Sequence, residues 1–202
     1  MPAEPSRLLL ASASRTRTRI LRAAGVDFVA ESPDVDERAA KDLLRRKGAT
    51  TLEAADALAE LKALRVSRRH PGSVVLGSDQ ILDCAGRWFD KPADRVEARG
   101  QLRELRGRSH VLAISVVAVR DGRRLWNRSE TATLTMRAFS DAFLDAYLRA
   151  AGDGLLASVG GYQLEGLGAQ LFSRVEGDHF AILGLPLMPV LDFLRSQDLL
   201  RT

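Results

Sequence analysis

The sequence predicts a soluble domain of the α/β or α+β class. Three observations carry that reading. Strand-like and helix-like segments alternate along the chain, the pattern of layered α/β structures. A length of 202 residues suffices for one sizeable core, or for one domain with two lobes. There is no internal repeat, no low-complexity tract and no apolar run approaching the ~18 residues of a membrane span. Residues 1–202 are read as a single domain.

The elements follow in order. Leu8-Leu9-Leu10-Ala11 reads as a short buried strand, and a helix follows from Arg15 to Ala24. Ser14 is its N-cap and Gly25 its C-terminal stop. Phe28 to Ala30 reads as a second strand, broken by Pro33 before the loop Asp34-Val35-Asp36-Glu37. Thr50 and Glu53 form a capping box for a helix whose apolar stripe is Ala55, Leu58 and Leu61. Val74 to Leu76 is a buried strand ending at Gly77-Ser78-Asp79; Ile81–Cys84 and Arg87–Phe89 read as a hairpin about Ala85-Gly86. Asp94 with Glu97 opens a helix to about Leu105. His110–Val119 and Leu125–Thr135 form a long hairpin around Asp121-Gly122. Ser140 caps a helix stopped by Gly152, and Val159 to Gly168 is a glycine-punctuated loop. A strand from Gln170 to Val175 and a helix through Leu194 complete the chain.

Charge and cysteine use narrow the partners. Thirty basic and 26 acidic residues give a net charge of +4, with 5% aromatics. Basic and aromatic residues do not interleave, so a small anionic substrate suits the excess charge better than nucleic acid. The lone Cys84 excludes an intrachain disulfide, and Met1-Pro-Ala-Glu-Pro-Ser-Arg7 lacks a secretory layout. A cytoplasmic location is expected.

Several residue types point to chemistry. Asp79 ends an apolar strand, where α/β proteins bind ligands; a turn aspartate would give the same local pattern. Ser12-Ala13-Ser14 leads into a helix N-terminus with Arg15, Arg17 and Arg19, which suits an anion, although a capped basic surface helix reads alike. Asp36-Glu37 offers hard oxygens for Mg²⁺ or Mn²⁺, or else a solvated acidic turn. Lys62 and Lys91 could neutralise phosphate. His70, His110 and His179 lack metal-ligand spacing, and no nucleophile elbow G-x-S-x-G occurs.

The order of these pieces is more specific than any one of them. Leu10-Ala-Ser-Ala-Ser14 with Arg17, Pro33-x-x-Asp36-Glu37, Leu61-Lys62-Ala63 and Gly77-Ser-Asp79-Gln80 come first. Asp90-Lys91-Pro92, Gly161-Tyr162 with Glu165-Gly-Leu-Gly168, and Gly184-Leu-Pro-Leu187 follow. This series, from about residue 8 to 195, resembles the Maf family of nucleoside triphosphate pyrophosphatases. The resemblance implies an α/β fold with a mixed twisted sheet, flanking helices and two lobes around a central cleft, similar to inosine-triphosphate pyrophosphatase. It implies hydrolysis of an NTP to NMP and pyrophosphate with a divalent cation, Mg²⁺ or Mn²⁺, and members that often form homodimers. By the same resemblance, Asp79 and Glu37 are the catalytic and metal-binding carboxylates. Ser12, Arg17, Lys62 and Lys91 would bind the triphosphate.

Three positions, Thr16, Gln80 and Glu165, correspond to those that separate subfamilies. Gln80 and Glu165 match the 7-methyl-GTP type, and Thr16 matches neither that type nor the dTTP/UTP type. A carboxylate at Glu165 can accept from a guanine edge and complement an N7-methylated, cationic base. The chain departs from the family at Arg15, usually Pro, and at Ser158, where many members carry Lys. The expected activity is thus a 7-methyl-GTP-like pyrophosphatase. A dTTP/UTP pyrophosphatase and a division-related or nucleic-acid-binding module built on Arg15 to Arg22 are the alternatives.

Overall fold

The computed structural model describes residues 7–201. The stretch from Met1 to Ser6, read above for its lack of a secretory layout, lies outside the described residues. Strand β1 (Leu8–Ala11) leads to helix α1 (Arg15–Ala23), and β2 (Val29–Glu31) leads to α2 (Glu37–Arg46). Helix α3 (Thr51–Ser67), β3 (Val74–Cys84), β4 (Arg87–Phe89) and α4 (Arg95–Leu105) follow. The long hairpin of β5 (Ser109–Arg120) and β6 (Arg123–Met136) precedes α5 (Asp141–Ala151). Three short 3₁₀ turns lie between Gly152 and Leu171, before β7 (Phe172–Glu176), α6 (His179–Ile182) and α7 (Leu187–Ser196).

Among the described residues the strands form one mixed sheet in the order β2-β1-β3-β5-β6-β7, with β4 paired to β3. β1 runs parallel to both β2 and β3, and the remaining pairings are antiparallel. The mixed α/β class is as the sequence implies. No described helix is long and apolar enough to cross a membrane.

The long strands β3 and β5 carry a core at each end. Val74, Leu76, Val116 and Ala118 pack with α1 and α7 residues such as Leu21, Val190 and Leu194. Leu82, Leu112 and Ile114, at the other end, pack with Leu102, Leu105, Leu144 and Tyr162. Between the two, β3 carries the polar run Ser78-Asp79-Gln80. Two lobes therefore share one pair of strands, and the polar run lies at their junction.

Several local expectations change. β3 is one strand of 11 residues, so Asp79 is mid-strand and not at a strand end. Its backbone stays in the sheet because Ser78, Asp79 and Gln80 pair with Val116, Ser115 and Ile114 of β5. Glu37 lies not in a loop but at the first position of α2, and the Asp36 carboxylate caps that helix by accepting from Ala39 N–H at 2.9 Å. Leu61 is 40% exposed; the inward face of α3 is Ala55, Leu58, Ala59, Lys62, Ala63 and Val66. The last strand begins at Phe172, and α6 is an added helix.

Candidate active site

Small residues bring α3 onto the sheet. Gly77 faces the helix, and a Cβ there would lie 2.1 Å from Ala59 O and 2.8 Å from Ala63 N. Only a glycine admits that approach. It sets Lys62 over the next residue on the same face of β3, Asp79. Lys62 Nζ lies 2.5 Å from Asp79 Oδ1 and 2.9 Å from Glu37 Oε1. Asp79 Oδ2 is buried and has no hydrogen-bond partner. Burial opposes the charge on Glu37, but Lys62, Lys41 and Lys91 outweigh it and hold this carboxyl below the usual range.

The opposite face of β3 is organised by Arg17. Its Nε donates to Gly184 O and its Nη1 to Ser78 O, each at 2.8 Å, and Nη1 also reaches Ser12 Oγ at 3.4 Å. Ser78 Oγ donates to the same Gly184 carbonyl at 2.8 Å. Arg17 thus ties β3 and the loop after β1 to the turn before α7, and Nη2 is the nitrogen left without a described partner. Burial pulls its pKa down while Asp79 and Glu37 oppose the fall; a guanidinium stays protonated. Ser14 caps α1 by accepting from Arg17 N–H at 3.3 Å. Ser12 Oγ accepts from Ser14 N–H at 3.1 Å.

These groups line a cleft of about 650 Å³ where β1 ends opposite Gly77 and β3 continues. Ser12, Thr16, Arg17, Glu37, Lys62, Asp79, Gln80 and Lys91 all line it. Glu165 does not. It lines a smaller pocket of about 40 Å³ that shares Thr16, Gln80, Ser158, Val159 and Leu183 with the cleft. The three expected specificity positions therefore meet in one pocket. Gln80 Nε2 donates to Ile182 O at 2.9 Å, which fixes the amide from α6. Glu165 Oε1 accepts from Arg19 Nη2 at 2.9 Å.

Sequence reasoning missed Lys41, which lines the cleft and pairs with Asp90 at 2.8 Å. Burial lowers its pKa, but Asp79, Asp90 and Glu37 outweigh burial and raise it. The available signal is its place one turn after Glu37 on α2, a helix to which the sequence reading assigns no element beyond Glu37. Lys91 also lines the cleft, and desolvation of its ammonium there together with Arg17 lowers its pKa.

A second, more open groove of about 690 Å³ runs between α1 and β2, with Arg15, Arg19 and Arg22 on its wall. Its lining contains no carboxylate, so acid–base chemistry belongs to the cleft. The cleft holds buried Asp79 with a free oxygen, four further carboxylates at Asp34, Glu37, Asp90 and Glu97, and cations from α1, α2, α3 and the loop after β4. That set suits deprotonation of water beside a polyanion.

The family model described as Maf-like protein matches residues 7–197. A curated protein named nucleoside triphosphate pyrophosphatase, from Paramagnetospirillum magneticum, is 56% identical over 93% of this chain and 97% of its own length. One of the same name from Granulibacter bethesdensis is 53% identical over 96% of this chain and 98% of its own. Among solved structures, a HAM1 protein from Coxiella burnetii aligns with 65% of this chain and 73% of its own, at 17% identity and a TM-score of 0.43.

Proposed function

The chain belongs to the Maf family, and from that membership and the cleft we propose that it is a hydrolase acting on nucleoside triphosphates. The reaction is NTP + H₂O → NMP + pyrophosphate. Water attacks the α-phosphorus, the bond from that phosphorus to the α–β bridging oxygen breaks, and the bridging oxygen leaves on pyrophosphate.

The observation that carries this reading is the unpartnered Oδ2 of buried Asp79. Lys62 holds the other oxygen, so the carboxylate is fixed in orientation and keeps an acceptor for the proton of the attacking water. The triphosphate lies against the N-terminus of α1, where Ser12, Ser14 and the free Nη2 of Arg17 meet it. Lys62 and Lys91 offset the charge that grows on the departing pyrophosphate.

Asp79 and Glu37 are hard oxygen donors in one cleft, and they fit Mg²⁺ or Mn²⁺. No group of three His, Cys, Asp or Glu side chains able to hold a metal alone occurs among the described residues. Two donors suit an ion that shares its shell with water and substrate phosphates. When bound, the cation supplies charge neutralisation on those phosphates.

The finer reading is a purine triphosphate carrying a cationic base, of the 7-methyl-GTP type. Glu165 and Gln80 in one small pocket support it. The lone Cys84 and the substrate class support a cytoplasmic location for the reaction.

The test is pyrophosphate release with Mg²⁺ or Mn²⁺ from 7-methyl-GTP, GTP, dTTP, UTP, CTP and ITP, with Asp79→Asn beside wild type. Turnover of 7-methyl-GTP that the variant abolishes supports the whole reading. A preference for dTTP or UTP keeps the reaction and overturns the base assignment. No release from any nucleotide overturns the activity.

A further inference from the structure

Helix α2 presents Glu37 and Lys41 to the cleft, one turn apart, and Arg45 continues the same stripe a turn further on. Glu37 reaches Lys62 at 2.9 Å, and Lys41 reaches Asp90 at 2.8 Å. The Arg45 guanidinium lies 4.8 Å from the ring centre of Trp88. The helix has no fully buried residue, and only Ala40 and Leu44 pack on the small cluster around Leu58 and Ile81. Its polar stripe is therefore a large part of what seats it.

Asp90 opens the link that carries Lys91. The far side of that link is held by α4. Gln101 Nε2 donates to Asp90 O at 3.2 Å, and Ala93 N–H donates to Glu97 Oε2 at 2.8 Å. The near side is held by Lys41, whose side chain is 11% exposed while that of Asp90 is 56% exposed. A pair so open on one side adds little stability. A sequestered lysine stem with its ammonium aimed at one carboxylate does fix where the loop stands.

We propose that Lys41 is a positioning residue, holding the Asp90–Pro92 link across the cleft so that Lys91 meets the triphosphate. The inference rests on the pyrophosphatase reading above. Lys91 answers charge that increases as pyrophosphate leaves, so a displaced loop weakens the transition state more than the bound substrate. Lys41 acts through Asp90 and touches no reacting atom.

The experiment compares Lys41→Met, Lys41→Arg, Asp90→Asn and the double variant Lys41→Met/Asp90→Asn. One readout is kcat and KM for pyrophosphate release. The other is Trp88 emission in a Trp126→Phe background, which leaves one of the 2 tryptophans. Lys41→Met and Asp90→Asn should each lower kcat about tenfold with a smaller change in KM. The double variant should be no slower than the slower single, and Lys41→Arg should keep most of the rate. Both neutral singles should shift Trp88 emission to the red as the strand end before Asp90 gains water. If Lys41→Met is crippled while Asp90→Asn matches wild type, Lys41 binds phosphate directly and the inference is overturned. Unchanged kcat in both singles overturns it too. Should wild type release no pyrophosphate from any nucleotide, the activity assignment fails, and emission alone decides the bridge: a red shift upholds it, an unchanged spectrum sinks it.

Discussion

Lys62 places its ammonium 2.5 Å from Asp79 Oδ1, and both side chains are at most 5% exposed. Removing either partner has a different consequence. Lys62→Met leaves a buried carboxylate without its counter-charge, which should destabilise the fold by about 3 kcal/mol. Asp79→Asn leaves Lys62 paired with Glu37 and should cost less stability. It should still lower kcat by about 10³-fold, because an amide cannot take the proton from water. Denaturant unfolding and pyrophosphate release on both variants check the contrast. Equal stability losses would contradict it.

The same pair depends on Gly77. In Gly77→Ala the added methyl meets backbone atoms of Ala59 and Ala63, which cannot rotate away. Helix α3 must lift from β3, at about 3 kcal/mol or more. Lys62 then moves off Asp79, so kcat should fall even in the folded fraction. Activity normalised to folded protein separates the two effects; a variant with wild-type stability would show that the helix yields freely.

His110 gives the protein an acid sensitivity unconnected with the cleft carboxylates. It is 1% exposed, hydrogen-bonds Tyr162 Oη at 2.7 Å through Nε2, and has no partner at Nδ1. Burial lowers its pKa from 6.5 to about 4. The unfolded chain therefore binds the extra proton first, and the folded state is penalised as pH falls from about 6.5 towards 4. The loss should approach about 3 kcal/mol at pH 4 and flatten below it. Thermal unfolding between pH 7 and 4 should show a steeper decline for wild type than for His110→Gln. Parallel declines would place the sensitivity elsewhere.

Much of the fold is legible because its signals are local. The caps at Ser14, Thr50, Asp94 and Ser140 all accept from the residue three positions on. The Asp121-Gly122 turn has the positive φ of its type, 49° and 73°. What was not legible is set by distant partners. Helix α2 has a charged surface and a sparse apolar face of Ala40 and Leu44, so its periodicity is faint, and Lys41 was hidden with it. Asp79 looked like a strand end because a polar run interrupts the apolar one; pairing with β5 keeps it in the sheet. The link between Arg19 and Glu165 spans 146 residues and leaves no local trace.

Under the 7-methyl-GTP reading proposed above, that last pair sets how base selection should respond to mutation. The Arg19 side chain is 59% exposed and that of Glu165 20%, so the bridge is partly screened and a cationic base can compete for the carboxylate. Glu165→Gln removes the charge and keeps the shape. It should lower kcat/KM for 7-methyl-GTP about tenfold or more while GTP changes less. Arg19→Ala should act in the opposite sense, because Glu165 is freed for the base and the triphosphate cradle at Ser12 and Arg17 is untouched. Gln80, whose Nε2 is held by Ile182 O, should matter for guanine against other bases and not for the methyl group. Ratios of kcat/KM for 7-methyl-GTP over GTP in the two variants check the scheme. If Glu165→Gln and Arg19→Ala shift the ratio in the same direction, the carboxylate is not the base-reading group.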